Sequence, residues 1–150
     1  MVRQVERSEL ANCANCACFN LRKGTRAVTQ FYDDMMRPSG LRATQFSLLV
    51  AARLVGPVSV TRLAELTVMD RTTLTRNLEL LQKQGLIEVT AGKDRRTRIV
   101  TITAQGNAAL ARALPLWKKA QSHVVETLSE ARWSTMLLDL SEMVALAQQN

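Results

Sequence analysis

Seven residues, Gly92-Lys93-Asp94-Arg95-Arg96-Thr97-Arg98, separate two short runs of strand character, Ile87 to Ala91 and Ile99 to Thr103. Two β-rich runs joined by a glycine-bearing turn predict a hairpin. The turn packs four positive charges against one negative, a density that keeps it in solvent and suits a polyanionic partner. Just upstream, Asp70-Arg71-Thr72-Thr73 reads as a capped helix start, with Leu74, Leu78 and Leu81 as its inward stripe and Gly85 beyond its end. A basic hairpin therefore stands beside a polar-faced helix carrying Arg76. That pairing suits gripping a phosphate backbone and probing a groove, and the partner expected is double-stranded DNA.

The flanking pattern is helical. One stripe runs from Asn15 to Met36 through Ala17, Cys18, Leu21, Thr25, Val28, Tyr32 and Met35, until Pro38-Ser39-Gly40 breaks it. A second, Ala43 to Leu54, shows Phe46, Leu49, Val50 and Leu54 and stops at Gly56-Pro57. Ser59 is the expected N-cap of a short helix with Val60, Leu63 and Leu66 inward. Only Thr67-Val68-Met69 links it to the Asp70-capped helix, the tight connection of a helix-turn-helix.

Past the hairpin, Thr103 is expected to cap a helix with Leu110, Leu114, Trp117 and Val124 in its stripe, bent at Pro115. Ser129 is expected to cap the last, with Trp133, Met136, Leu137, Leu140 and Val144. The fold class is mainly α with a small β-hairpin wing. It divides into an N-terminal tail (1–14), a dimerisation helix (15–38), a winged helix-turn-helix module (39–103) and C-terminal dimerisation helices (104–150). The outer stripes exceed what a module of some seventy residues needs for its own core, and a second copy is the economical partner, giving a homodimer.

Charge follows this division. The 150 residues hold 20 Lys and Arg against 13 Asp and Glu, a net charge of +7. Residues 104–150 are balanced, so the excess lies in the first two thirds. No stretch reaches the eighteen or so apolar residues of a membrane span, and the charged N-terminus lacks a signal core, so no membrane partner is expected. Three cysteines are a poor disulfide framework and suit a reducing, cytoplasmic setting. With one histidine, no acid pair, no nucleophile constellation and no phosphate-binding glycine loop, neither an enzyme nor a cofactor is expected. The competing reading is a winged-helix protein–protein interaction module without DNA binding. It leaves the hairpin charge unexplained.

At 100° per residue, Thr72, Arg76, Glu79 and Lys83 lie opposite the leucine stripe, flanked by Thr73 and Thr75, with Arg71 in the first turn. Hydroxyls and arginines suit a major groove about 12 Å wide. Lys93, Arg95, Arg96 and Arg98 would reach phosphates or a minor groove. Asp94 has two possible jobs: holding the Arg96 guanidinium, or bonding the turn backbone. The bland alternative is an ordinary solvated face.

Met69 to Arg76, Gly85-Leu86-Ile87, Asp94-Arg95-Arg96 and Val100 to Gly106, with Tyr32-Asp33 and Gly40-Leu41 upstream, resemble the MarR family of bacterial transcription regulators across roughly residues 15–147. The resemblance implies a homodimeric winged helix-turn-helix, usually a repressor on a pseudo-palindromic operator. The family's wing contacts fall on Asp94 and Arg96, and its recognition-helix contacts on Arg71, Thr72, Thr73, Thr75 and Arg76. Release by a small-molecule effector or by cysteine oxidation is also implied.

Cys13, Cys16 and Cys18 leave three readings open. Cys18-Phe19 resembles the organic-peroxide-sensing branch, whose cysteine meets a partner-subunit tyrosine at the position of Tyr32. Fourteen helical residues span about 21 Å, so one chain cannot close that contact. Arg22, one turn on, supplies the electropositive setting of reactive thiols, although Arg22 and Ala43 stand where that branch has two further tyrosines. A metal site on the three sulfurs is the second reading, opposed by helix geometry that points Cys16 and Cys18 apart. Inert packing is the third. A pocket for a small-molecule effector falls by placement on Arg22, Arg26, Gln45 and Trp117.

Overall fold

The computed structural model describes residues 4–149. Its elements are α1 (Arg7–Ala11), a 3₁₀ turn (Asn12–Asn15), α2 (Ala17–Met36), a 3₁₀ turn (Arg37–Ser39), α3 (Ala43–Val55), β1 (Val58–Ser59), α4 (Val60–Thr67), α5 (Arg71–Lys83), β2 (Ile87–Ala91), β3 (Arg98–Ile102), α6 (Ala104–Leu128) and α7 (Glu130–Gln148). Among the described residues no helix is long and apolar enough to cross a membrane.

Three helix starts follow the side-chain rule. Ser59, Asp70 and Thr103 each accept the N–H three residues on, from Arg62, Thr73 and Gly106. Ser129 does not cap α7: it sits at φ 76° with no side-chain bond, because α6 and α7 meet there in a single sharp corner. Pro115 lies inside α6, which continues through it. Within residues 1–14, where a tail is expected, α1 forms because Glu6 and Glu9 close a reciprocal capping box.

The sheet is antiparallel with β3 in the centre, order β1-β3-β2. Its long pair runs from Ile87↔Ile102 to Ala91↔Arg98, and Val58↔Val100 adds the third strand. β1 has only two residues, too few for an alternation to be visible in the sequence. The core lies where α3, α4, α5 and the inner face of this sheet meet: Leu48, Leu49, Leu63, Leu74, Leu81, Ile87 and Val100 are almost wholly buried. Each such aliphatic side chain contributes about 2 kcal/mol by leaving water.

The outer helices meet the chain's own core with only part of their expected stripes, Tyr32, Leu110 and Trp117 among them. On α2 only Met36 is buried, with Tyr32 and Met35 half-buried. On α6 the buried positions are Gly106, Ala109, Ala113 and Ala120, while Leu114 is 41% exposed. Small residues let this helix lie close against α2 and α3, while Leu110, Leu116 and Trp117 pack against the core from its flanks, half-buried. On α7 nothing is buried. Leu54 of α3 and Leu66 of α4, expected inward, are also exposed.

Candidate nucleic-acid interface

The leucines of α5 decide which side of that helix faces outward. With Leu74, Leu78 and Leu81 at 0–4% exposure, Arg71, Thr72, Thr73, Thr75 and Arg76 are all left in solvent. Asp70 anchors its start, accepting the Thr73 N–H at 2.9 Å on Oδ1. Hydrogen bonds from Thr73, side chain first and backbone second, hold the Asp70 carboxyl below the ordinary carboxylate range. The preceding turn places Val68 in the left-handed region, φ 52° and ψ 40°, a conformation that a β-branched residue adopts only under strain.

In the wing, Gly92 N–H donates to the Thr97 carbonyl at 2.8 Å, and Thr97 N–H to the Asp94 carbonyl at 2.9 Å. Asp94 Oδ1 accepts the Arg96 N–H at 3.0 Å. Of its two candidate jobs, the carboxylate therefore takes the backbone one, an Asx turn that stiffens the loop. Lys93, Arg95, Arg96 and Arg98 are exposed.

A cleft of about 510 Å³ joins the two parts. Arg71, Thr75 and Glu79 line it from α5, Arg96, Thr97 and Arg98 from the wing. A shallower groove on the outer side of α5 is bordered by Thr72 and Arg76. Ser59, Val60 and Thr61 at the start of α4 also line the cleft. Ser59, expected only as a cap, thus also borders the cleft, because capping fixes the start of α4 beside α5. Lys93 and Arg95 project from the loop outside the cleft lining. Thr73 is exposed beside the face, its amide committed to Asp70.

The sensing candidates are dispersed. Cys13, Cys16 and Cys18 are all free and exposed. Their segment is ordered by Asn20, whose side-chain amide donates to the Ala14 and Cys16 carbonyls at 2.8 and 2.9 Å. Cys16 caps α2 and Cys18 lies in its first turn. Among the described residues no three His, Cys, Asp or Glu side chains gather as metal ligands, the three thiols included. Cys18 and Tyr32 sit on one unbroken helix, fourteen residues apart. The Tyr32 hydroxyl donates to Gln121 Oε1 at 2.6 Å, and partial burial raises its pKa.

Arg22, Arg26, Gln45 and Trp117 stand in different settings. The two arginines are exposed on α2, Trp117 stacks on Phe46 at 5.9 Å, and Gln45 is buried with its amide already bonded.

An outward-facing helix on a helix-turn-helix, facing a basic wing across a shared cleft, defines a winged helix-turn-helix DNA-binding protein. A MarR family profile matches residues 39–97. The M. tuberculosis transcriptional regulator MosR, solved in complex with DNA, is similar at 39% identity with a TM-score of 0.83, over 90% of this chain and 98% of that one. The chain belongs to the MarR family of transcription regulators. An uncharacterised HTH-type transcriptional regulator of Bacillus cereus is 29% identical over 120 residues, 80% of each chain. A MarR variant from E. coli complexed with operator DNA is 20% identical and shares the fold, with a TM-score of 0.79 over 89% of this chain and 97% of that one.

Proposed function

We propose that this regulator acts in the cytoplasm as a homodimeric repressor on a pseudo-palindromic operator. One α5 enters a major groove in each half-site and each wing reaches the flanking backbone or minor groove. The cleft carries the reading: three arginines from α5 and the wing converge on one exposed concavity. Arg71, Thr72, Thr75 and Arg76 are assigned to the groove, and Lys93, Arg95, Arg96 and Arg98 to phosphates, with Asp94 stiffening the wing and Thr73 completing the helix start.

Exposed area supports the second copy. The chain exposes 11188 Å², where a compact monomer of this mass exposes about 7,600 Å². The outer helices carry large apolar side chains in solvent: Val28 on α2, Leu114 on α6, and Leu137, Leu138 and Leu146 on α7. An apolar groove of about 390 Å³ between α2 and α6, lined by Val28, Phe31 and Val124, belongs to the same face. Duplexes selected from a random pool by the purified protein should show two related half-sites about one helical turn apart. Selection of a lone half-site, or of nothing, refutes the proposal.

For release, exposed thiols at the head of α2 favour oxidation over an effector held by Arg22, Arg26 and Trp117. Oxidising the protein should dissociate a fluorescent operator duplex, and Cys18→Ser should abolish that response. Affinity unchanged by oxidant rules it out.

A further inference from the structure

Gln45 is the single buried polar side chain among the described residues, 4% exposed. Its Oε1 accepts the Arg42 N–H at 2.9 Å, at the start of its own helix. Its Nε2 leaves that helix and donates to Gln84 Oε1 at 3.1 Å. Gln84 is the C-terminal cap of α5, thirty-nine residues away in the chain. No buried side-chain nitrogen or oxygen among the described residues lacks a partner, and both polar atoms of this amide have one.

The same spot gathers the flanking helices. The Gln84 carbonyl accepts Gln105 Nε2 at 3.3 Å, and the Gly85 carbonyl accepts the Thr103 hydroxyl at 2.7 Å, both from the start of α6. From α2, Asp33 Oδ1 accepts the Ala43 N–H at 2.7 Å and so holds the first residue of α3. The foot of α5 is thus tied by directional bonds to α3 and α6, and through α3 to α2. The rest of α5 packs through leucines, whose attraction is non-directional and tolerates small rotations or slides. A buried amide does not tolerate them: losing its partner costs more than an average hydrogen bond contributes.

We propose that Gln45 and Gln84 form a positioning clasp. It sets where the foot of α5 stands relative to the outer helices, and so fixes the half-site spacing that the protein reads. The inference rests on the dimeric reading above. Neither residue is assigned a DNA contact; they act through the pose of α5, for which a shift of about half an ångström matters.

The test uses the full-length protein, a duplex selected by the wild type, the same duplex with one base pair inserted between half-sites, and a non-operator duplex. Gln45→Met, Gln84→Met and the double variant are compared with wild type. Wild type should prefer the native spacing. Each single variant should lower that preference about fivefold, the double variant no further, with non-operator binding unchanged. A preference retained in all three variants, whatever happens to their melting temperatures, makes the clasp merely structural and overturns the inference. Losses that add in the double variant overturn it too, since the residues then act separately. If Gln45→Met does not fold, Gln84→Met, altered at the exposed rim, decides alone. A wild type indifferent to spacing sinks the dimeric reading itself, an outcome distinct from intact wild-type selectivity with unaffected variants.

Discussion

Gly106→Ala tests the closest approach between the reading module and the outer helices. Gly106 is the third residue of α6, where a Cβ would stand 2.1 Å from the Leu86 carbonyl oxygen and 2.7 Å from Ile102 Cγ1. Ordinary carbon–oxygen contacts begin near 3.3 Å, so α6 and the start of β2 must separate by about 1.2 Å. That movement breaks the bond from Thr103 N–H to the same carbonyl, now 3.1 Å. Overpacking of this kind costs about 1–3 kcal/mol and the lost hydrogen bond about 1 kcal/mol more, so a destabilisation of about 3 kcal/mol is expected. Gly85→Ala is the control. Its Cβ would meet only the movable end of Gln105 at 3.0 Å, and the penalty is the left-handed backbone at φ 73°, about 1 kcal/mol. Urea unfolding at one fixed protein concentration measures both. A Gly106→Ala loss below about 1 kcal/mol with an unchanged denaturant slope, or one no larger than that of Gly85→Ala, refutes the packing argument.

Three further outcomes are expected. Arg96→Ala should lower duplex affinity and reduce the slope of log affinity against log salt by about one for each wing, measured by fluorescence anisotropy across a salt series. Val68→Asn should raise stability by about 1 kcal/mol in thermal unfolding, since Val68 is exposed and asparagine occupies the left-handed region with less strain. Asp70, whose folded carboxyl titrates below its unfolded value, stabilises the fold above the ordinary carboxylate range and loses that contribution as pH falls through the lowered value. Melting scans between pH 2 and 6 should show this acid-dependent loss in wild type and a smaller one in Asp70→Asn, which keeps the cap without the charge.

The half of the molecule that carries α5 and the wing was legible because its signals are local. Asp70, Ser59 and Thr103 cap helices through bonds to residues three positions on, and Leu74, Leu78 and Leu81 repeat at helical spacing within one segment. The outer helices were not legible in the same way. A stripe of large apolar residues marks a surface that will be covered, not what covers it: the chain's own core meets α6 at Ala109 and Ala113 and leaves Leu114 and Leu137 exposed. Asp94 divided between two local roles that only the turn geometry separates. Gln45 was grouped with exposed arginines by sequence placement, whereas its partner Gln84 lies thirty-nine residues on, at a separation no pattern reports.

α7 runs for nineteen residues without one buried side chain. A helix in that condition keeps its shape only while something covers it, so its stability depends on how much covering chain is present. Where the cover is another copy of itself, the amount of dimer at low abundance rises with the square of the amount made. Dilution during cell growth would then thin out the reading form faster than the chain itself. Control over the gene would be graded by protein supply as well as by any chemical signal.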